Sequence, residues 1–76
     1  MTKEEIINGL TSIPKDLLEA SYICEIEKRG VFRIQMDFSP DIIKTHLSDT
    51  IPKLNPYGFL EFRKVFKGIK WEVIMT

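Results

Sequence analysis

Hydrophobic periodicity changes within residues 31–47, and that change constrains the fold more than any other feature of the chain. In Val31-Phe32-Arg33-Ile34-Gln35-Met36-Asp37-Phe38, apolar Phe32, Ile34, Met36 and Phe38 alternate with polar Arg33, Gln35 and Asp37. Side chains of a strand point to opposite faces in turn, so this run predicts a strand with one apolar and one wet face. Ser39-Pro40-Asp41 follows. Ser39 suits the N-cap, Pro40 the first helical position, and Asp41 the positive end of a helix dipole. Ile43, Leu47 and Ile51 then recur every four residues as one apolar stripe. Pro52 predicts a stop near Thr50. A half-buried strand feeding a one-sided helix is most simply buried as helix on sheet.

The rest of the chain repeats this grammar. Thr2-Lys3-Glu4-Glu5 fits a capping box and starts a helix over about 3–10, with Ile6, Ile7 and Leu10 inward and Gly9 weakening or ending it. Residues 14–20 add a further helical turn or two, with Leu17 and Leu18 inward. Ser21 to Glu27 reads as a strand with Tyr22, Cys24 and Ile26 on the apolar face. A three-residue loop, Lys28-Arg29-Gly30 with Gly30 left-handed, joins it to the 31–38 strand in the register that sets Ile26 beside Phe32. Leu54-Asn55-Pro56-Tyr57-Gly58 suits a type I turn. Phe59–Phe66 and Ile69–Met75 read as strands joined by Lys67-Gly68. A two-residue loop there pairs Phe66 with Ile69, Lys64 with Trp71 and Phe62 with Val73. A one-residue slip would expose that whole apolar set.

The expectation is a single α+β domain over residues 1–76. A four-stranded, mostly antiparallel sheet carries two helices on one face, in the order α-β-β-α-β-β. Its core face holds Tyr22, Cys24, Ile26, Phe32, Ile34, Met36, Phe62, Trp71 and Val73. Ile13-Pro14-Lys15 and Gly30 recur 38 residues later as Ile51-Pro52-Lys53 and Gly68. A duplicated αββ unit and two unrelated halves with similar punctuation fit this equally well.

Seventy-six residues bury a small core, and aromatic residues or dimerisation can supplement it. Formal charge is zero but uneven, with −3 over residues 1–52 and +3 over residues 53–76. That is well short of a dedicated nucleic-acid binder. A single cysteine excludes an internal disulfide and a multi-cysteine zinc site. No apolar run is long enough for a membrane helix and no signal peptide is evident, so the expected location is the cytoplasm.

Catalytic chemistry is thin in this chain. No cofactor, phosphate-loop or paired-carboxylate motif is present, and neither a cofactor nor a metal is expected. His46, with Asp49 three residues on, reads as a histidine at the solvent edge of a helix end. Cys24 reads as a buried, inert thiol. An enzyme built on Cys24 and His46 is therefore the least favoured class. Glu25 and Glu27 face Arg33 across the hairpin, as on a solvated face.

Two binding classes remain. Arg63, Lys64, Lys67 and Lys70, near Phe59, Phe66 and Trp71, could take nucleic acid. Against that, Phe66 and Trp71 fall on the core face, while Glu61 and Glu72 share the outer face with Arg63 and Lys70. The favoured class is a small non-enzymatic protein-binding module, an adaptor, regulator or inhibitor, whose partner is another protein or a second copy of itself. Ile23, Phe59, Val65 and Ile74 sit on the nominally wet face and Tyr57 on the turn beside it. Side by side they would form a docking patch. Local packing over the sheet end is the competing reading for the Tyr57 turn.

Overall fold

The computed structural model describes residues 2–27 and 29–76. Their elements are α1 (Lys3–Ser12), α2 (Lys15–Ala20), β1 (Ser21–Ile26), β2 (Phe32–Met36), α3 (Pro40–His46), β3 (Lys53–Leu54), β4 (Leu60–Phe66) and β5 (Ile69–Met75). The fold is α+β, as expected. The sheet gains a two-residue fifth strand, β3, and the 14–20 segment is a helix in its own right.

Strand order, which sequence reasoning left open, is β1-β2-β5-β4-β3. Two antiparallel hairpins are joined by a parallel seam between β2 and β5. Both hairpin registers match expectation. Phe66 faces Ile69, Lys64 faces Trp71 and Phe62 faces Val73. Lys67 and Gly68 both have positive φ, 50° and 81°. That is the signature of a type I′ turn, whose twist suits a two-residue hairpin. In the first hairpin Ile26 faces Phe32, and Gly30 has φ 78°. Lys28, the first residue of that loop, lies outside the described residues.

Phe32, Ile34 and Met36 of β2, Trp71, Val73 and Met75 of β5, and Phe62 of β4 share one buried face. Ile13, Leu17 and Leu47 complete the core, with Leu10, Leu18, Ile42 and Ile43 packed against it. All three helices thus cover the same face. Two local contacts tie the core together, one between strands and one from α1 to β5. Phe32 lies against Trp71, ring centroids 5.0 Å apart. The buried Ser12 hydroxyl accepts the Trp71 indole N–H at 2.9 Å and donates to the Gly9 carbonyl.

The caps behave as read. Thr2 Oγ1 accepts from Glu5 N at 3.2 Å, and Ser39 Oγ accepts from Ile42 N at 3.4 Å. Gly9, however, neither ends nor interrupts α1, which runs on to Ser12. It is buried, and a Cβ built there would fall 1.9 Å from Phe32 Cζ. Glycine lets the helix backbone lie directly on the ring.

Four expectations need correction. Tyr22, Cys24 and Ile26 are exposed rather than core, because β1 is the edge strand beyond the reach of the helices. A bulge between Ser21 and Ile23 also turns Tyr22 to the outer face, where its hydroxyl meets Gln35 and Thr76. Phe38 is exposed, although the seam carries on to it through Thr76 N to the Met36 carbonyl at 3.0 Å and Phe38 N to the Thr76 carbonyl at 3.2 Å. Helix α3 ends at His46, and Ile51 is 94% exposed. Thr50 explains that ending, since both its N–H and its hydroxyl donate to the Leu47 carbonyl and close a turn in place of another helical one. Ile7 also faces outward rather than into the core.

The two halves are not related by a symmetry of the sheet. A two-fold along the strands would carry β2 onto β5 and β1 onto β4, but it would turn the sheet over. The α1–α2 pair would then have to lie opposite α3, yet all three share a face.

Candidate functional site

The helix-free face of the sheet is organised in cross-strand rows. The central row is Glu25–Arg33–Glu72–Arg63. Arg33 is its hub, with Nη1 bonded to Glu25 at 3.1 Å, Nη2 to Glu27, and Nε and Nη2 to Glu72 at 3.2 and 3.0 Å. Burial alone would push the guanidinium pKa down, and the bonds to Glu25 and Glu72 outweigh it, so the group is firmly charged. Arg63 reaches Glu72 from the other side at 3.5 Å.

This row separates the apolar candidates. On one side the next row runs Ile23–Gln35–Ile74–Glu61–Lys53. Ile23 and Ile74 therefore share a row but have Gln35 between them. Val65 lies on the other side of the charged row, opposite Lys70. Phe59 precedes β4 at the far end from Val65 and belongs with the 55–59 turn. The five candidates do not form one continuous patch.

Exposed apolar side chains recur along the 51–59 segment around β3, where Leu54, opposite Leu60, belongs to the helix side of the sheet and the Tyr57 and Phe59 rings lie together on the turn. Ile51 (94% exposed), Leu54 (66%) and Tyr57 (82%) are crowded into seven residues. Asn55 braces the turn. Its Oδ1 accepts from both Tyr57 N and Phe59 N at 2.9 Å, its N–H donates to the Phe59 carbonyl, and its carbonyl accepts from Gly58 N at 3.0 Å. Its Nδ2 donates to Glu61 at 3.3 Å. Gly58 has φ 82°, a backbone state that side chains resist. The Tyr57 and Phe59 rings lie 6.3 Å apart. Pro56 stiffens the same loop. The sequence signal was present in Asn-Pro-Tyr-Gly, but the exposure of Ile51 and Leu54 depended on where α3 stops.

The basic candidates divide between the two faces. Lys64 is on the helix side, donating to the His46 carbonyl at 2.6 Å and to Asp49 at 2.8 Å. Its bond holds the Asp49 carboxyl below the usual range. Arg63 is committed to Glu72. Lys67, at the hairpin tip, and Lys70 are exposed. Arg29, Val31, Arg63, Val65 and Lys70 line an open concavity of about 570 Å³ that Glu27 and Glu72 also border.

His46 pairs with Asp16, not Asp49. Its Nε2 lies 2.7 Å from Asp16 Oδ2 and ties α3 to α2. That hydrogen bond lowers the Asp16 pKa. Cys24 is an exposed edge-strand thiol whose pKa is raised by desolvation and then by Glu25. The His46 side chain is engaged by Asp16 and its carbonyl by Lys64, and neither bond involves Cys24. Among the described residues, no three His, Cys, Asp or Glu side chains are grouped to hold a metal ion, and no helix is long and apolar enough to cross a membrane. Compared with known proteins, the chain matches no family model, no curated protein and no solved structure.

Proposed function

We propose that this chain is a protein-binding module that grips its partner with the braced corner formed by Ile51, Leu54, Tyr57 and Phe59. The observation that carries this reading is the Asn55 bracing. Four hydrogen bonds within residues 55–59 fix a turn whose most prominent side chain, Tyr57, is almost wholly in water. A tyrosine whose backbone is already braced in the free state has less chain freedom to lose on docking, and its ring supplies apolar contact with a polar tip. Tyrosine is enriched among the few residues that dominate binding energy. Ile51 and Leu54, exposed in the segment that leads into the turn, extend the apolar surface along the β3 edge.

The test separates folding from binding. Tyr57→Ala and Leu54→Ala are expected to unfold within about 0.5 kcal/mol of wild type, as surface changes do. The same changes are expected to abolish cross-linking of a photoreactive group placed at position 51 to a cellular protein. Capture that is indifferent to both substitutions defeats the proposal.

A second reading keeps nucleic acid as the ligand, favoured by the concavity that Arg29 and Lys70 line. It predicts a gel shift at low salt that Lys67→Glu/Lys70→Glu removes, since phosphate contacts dominate there. No shift at low salt eliminates it.

A further inference from the structure

We propose that two copies of this chain pair antiparallel through β1, continuing one sheet into the other across a two-fold axis at Cys24. The proposal rests on the binding reading, and names a second copy as the occupant of a surface other than the Tyr57 corner.

The two edges of the sheet are unlike. The β3 edge is two residues long, carries Lys53, and is flanked by Pro52 and Pro56. Short length, lysine and proline are the devices by which proteins blunt an edge. The β1 edge is six residues long, with neither proline nor lysine, and it is exposed from Tyr22 to Ile26. Its side chains include Tyr22, Ile23, Cys24 and Ile26. One defended edge and one open edge rule out head-to-tail β1–β3 stacking, which would grow into a fibre. Like-to-like pairing at β1, which closes after two copies, remains.

The ladder shows which backbone groups are available. Glu27 N donates to the Val31 carbonyl at 2.8 Å. Bonded and non-bonded pairs alternate in an antiparallel ladder, so Glu25 bonds Arg33 while Cys24 and Ile26 turn their own N–H and C=O away from β2. Among the described residues, those outward groups are donors and acceptors without a backbone partner, on a largely apolar strand.

Charge then selects the register. An axis at Glu25 sets two carboxylates opposite each other, and an axis at Ile26 sets Glu25 against the second copy's Glu27. Like charges directly opposite are destabilising. An axis at Ile23 places the bulge at Tyr22 in the middle of the new ladder. An axis at Cys24 avoids both charge clashes and moves the bulge to the two ends of the ladder, with Cys24 facing its own copy, Glu25 facing the second copy's Ile23 and Ile26 facing its Tyr22. It also sets the Arg29 end of each β1 toward the Glu19 end of the other, at the C-terminus of α2. Parallel pairing would superimpose like ends.

The test uses the single cysteine. Opposed residues of a bonded pair have Cα atoms about 5.5 Å apart, with Cβ atoms toward the wide end of the ~4.5–5.5 Å range, beyond the ~3.5–4.5 Å of a direct disulfide. A short bismaleimide bridges that gap: each Cys24 thiol adds across one of its two double bonds, sulfur and proton going to the two carbons, and gives a covalent dimer. The expected result is wild-type protein sedimenting at twice the monomer mass and cross-linking at a rate independent of total concentration. Ile26→Lys, and separately Cys24→Lys, which sets two cations across the axis, are expected to be monomers with the wild-type circular dichroism spectrum. A wild-type monomer at millimolar concentration, or a dimer untouched by both folded variants, overturns the proposal. Tyr57→Ala is expected to remain dimeric. A monomer that still cross-links its partner through the Tyr57 corner leaves the binding reading standing and removes β1 pairing alone.

Discussion

Gly9→Ala opposes two well-characterised effects, and the structure decides between them. In a helix interior the change normally stabilises by about 1 kcal/mol, through lower backbone entropy in the unfolded chain. Here the added methyl would meet Phe32 Cζ at 1.9 Å and both Cε atoms at 2.4 Å. Carbon atoms rest about 3.5–4.0 Å apart, so α1 and the ring must separate by roughly 1.5–2 Å. The ring has nowhere to go, being 1% exposed and backed by Trp71. The helix must therefore lift, which strains the Ser12–Trp71 hydrogen bond one turn further on. Overpacking of this kind costs about 1–3 kcal/mol, and the lost hydrogen bond about 1 more. After the helix gain, a net loss of about 1–3 kcal/mol remains. For a domain of this size each kcal/mol moves the melting point by about 4–8 °C. Urea unfolding followed by Trp71 fluorescence, alongside thermal melting, reads the change. Phe32→Leu shortens the obstructing ring, so Gly9→Ala in that background should cost far less, with a coupling energy above about 1 kcal/mol. A Gly9→Ala protein as stable as wild type in the Phe32 background refutes the close-approach account.

The remaining predictions address other contacts. Ser12→Ala leaves the buried Trp71 indole N–H without a partner and should cost about 1–3 kcal/mol in urea unfolding; a neutral result would mean that the hydroxyl is dispensable. Asp16→Asn should lower the melting point at neutral pH. The His46 bond depresses the Asp16 pKa, so its contribution is present above the unfolded pKa and lost as pH falls through the folded one. The gap between wild type and variant should close in acid, and a gap unchanged at strongly acidic pH contradicts the assignment. At concentrations low enough to dissociate the β1 pair, Cys24 should be alkylated by iodoacetamide in the folded protein, because it is exposed in the single chain, but with a pH–rate profile displaced above that of a free thiol. Glu25→Gln should move that profile part of the way back, and a profile at or below the free-thiol range would count against the local field described for β1.

Much of the fold was legible because it is locally encoded. The Lys67-Gly68 register follows from period-two patterning and loop length, and the caps at Thr2 and Ser39 from side-chain chemistry. What was not legible depended on strand order. Tyr22, Cys24 and Ile26 alternate as convincingly as Phe32, Ile34 and Met36, yet one set is covered by helices and the other lies at the edge. The candidate surface suffered in the same way. Ile23, Ile74 and Val65 share a face in any four-stranded arrangement; the Arg63–Glu72 pair that separates Val65 from Ile74 follows from the hairpin register alone, but Gln35 comes between Ile23 and Ile74 only once β2 and β5 are neighbours. Ile51 was assigned to a helical stripe because the proline after it was the most visible stop, whereas Thr50 had already turned the chain.

The parallel seam also governs how the molecule can be made. Each hairpin closes through neighbours a few residues apart, but residues 32–36 meet 71–75 only after the whole of 37–68 has been synthesised and threaded past them. Until then Phe32, Ile34 and Met36 have no strand beside them on that side. The first hairpin waits as a half-built surface, and the commitment to a finished interior comes with the strand that slots into its centre.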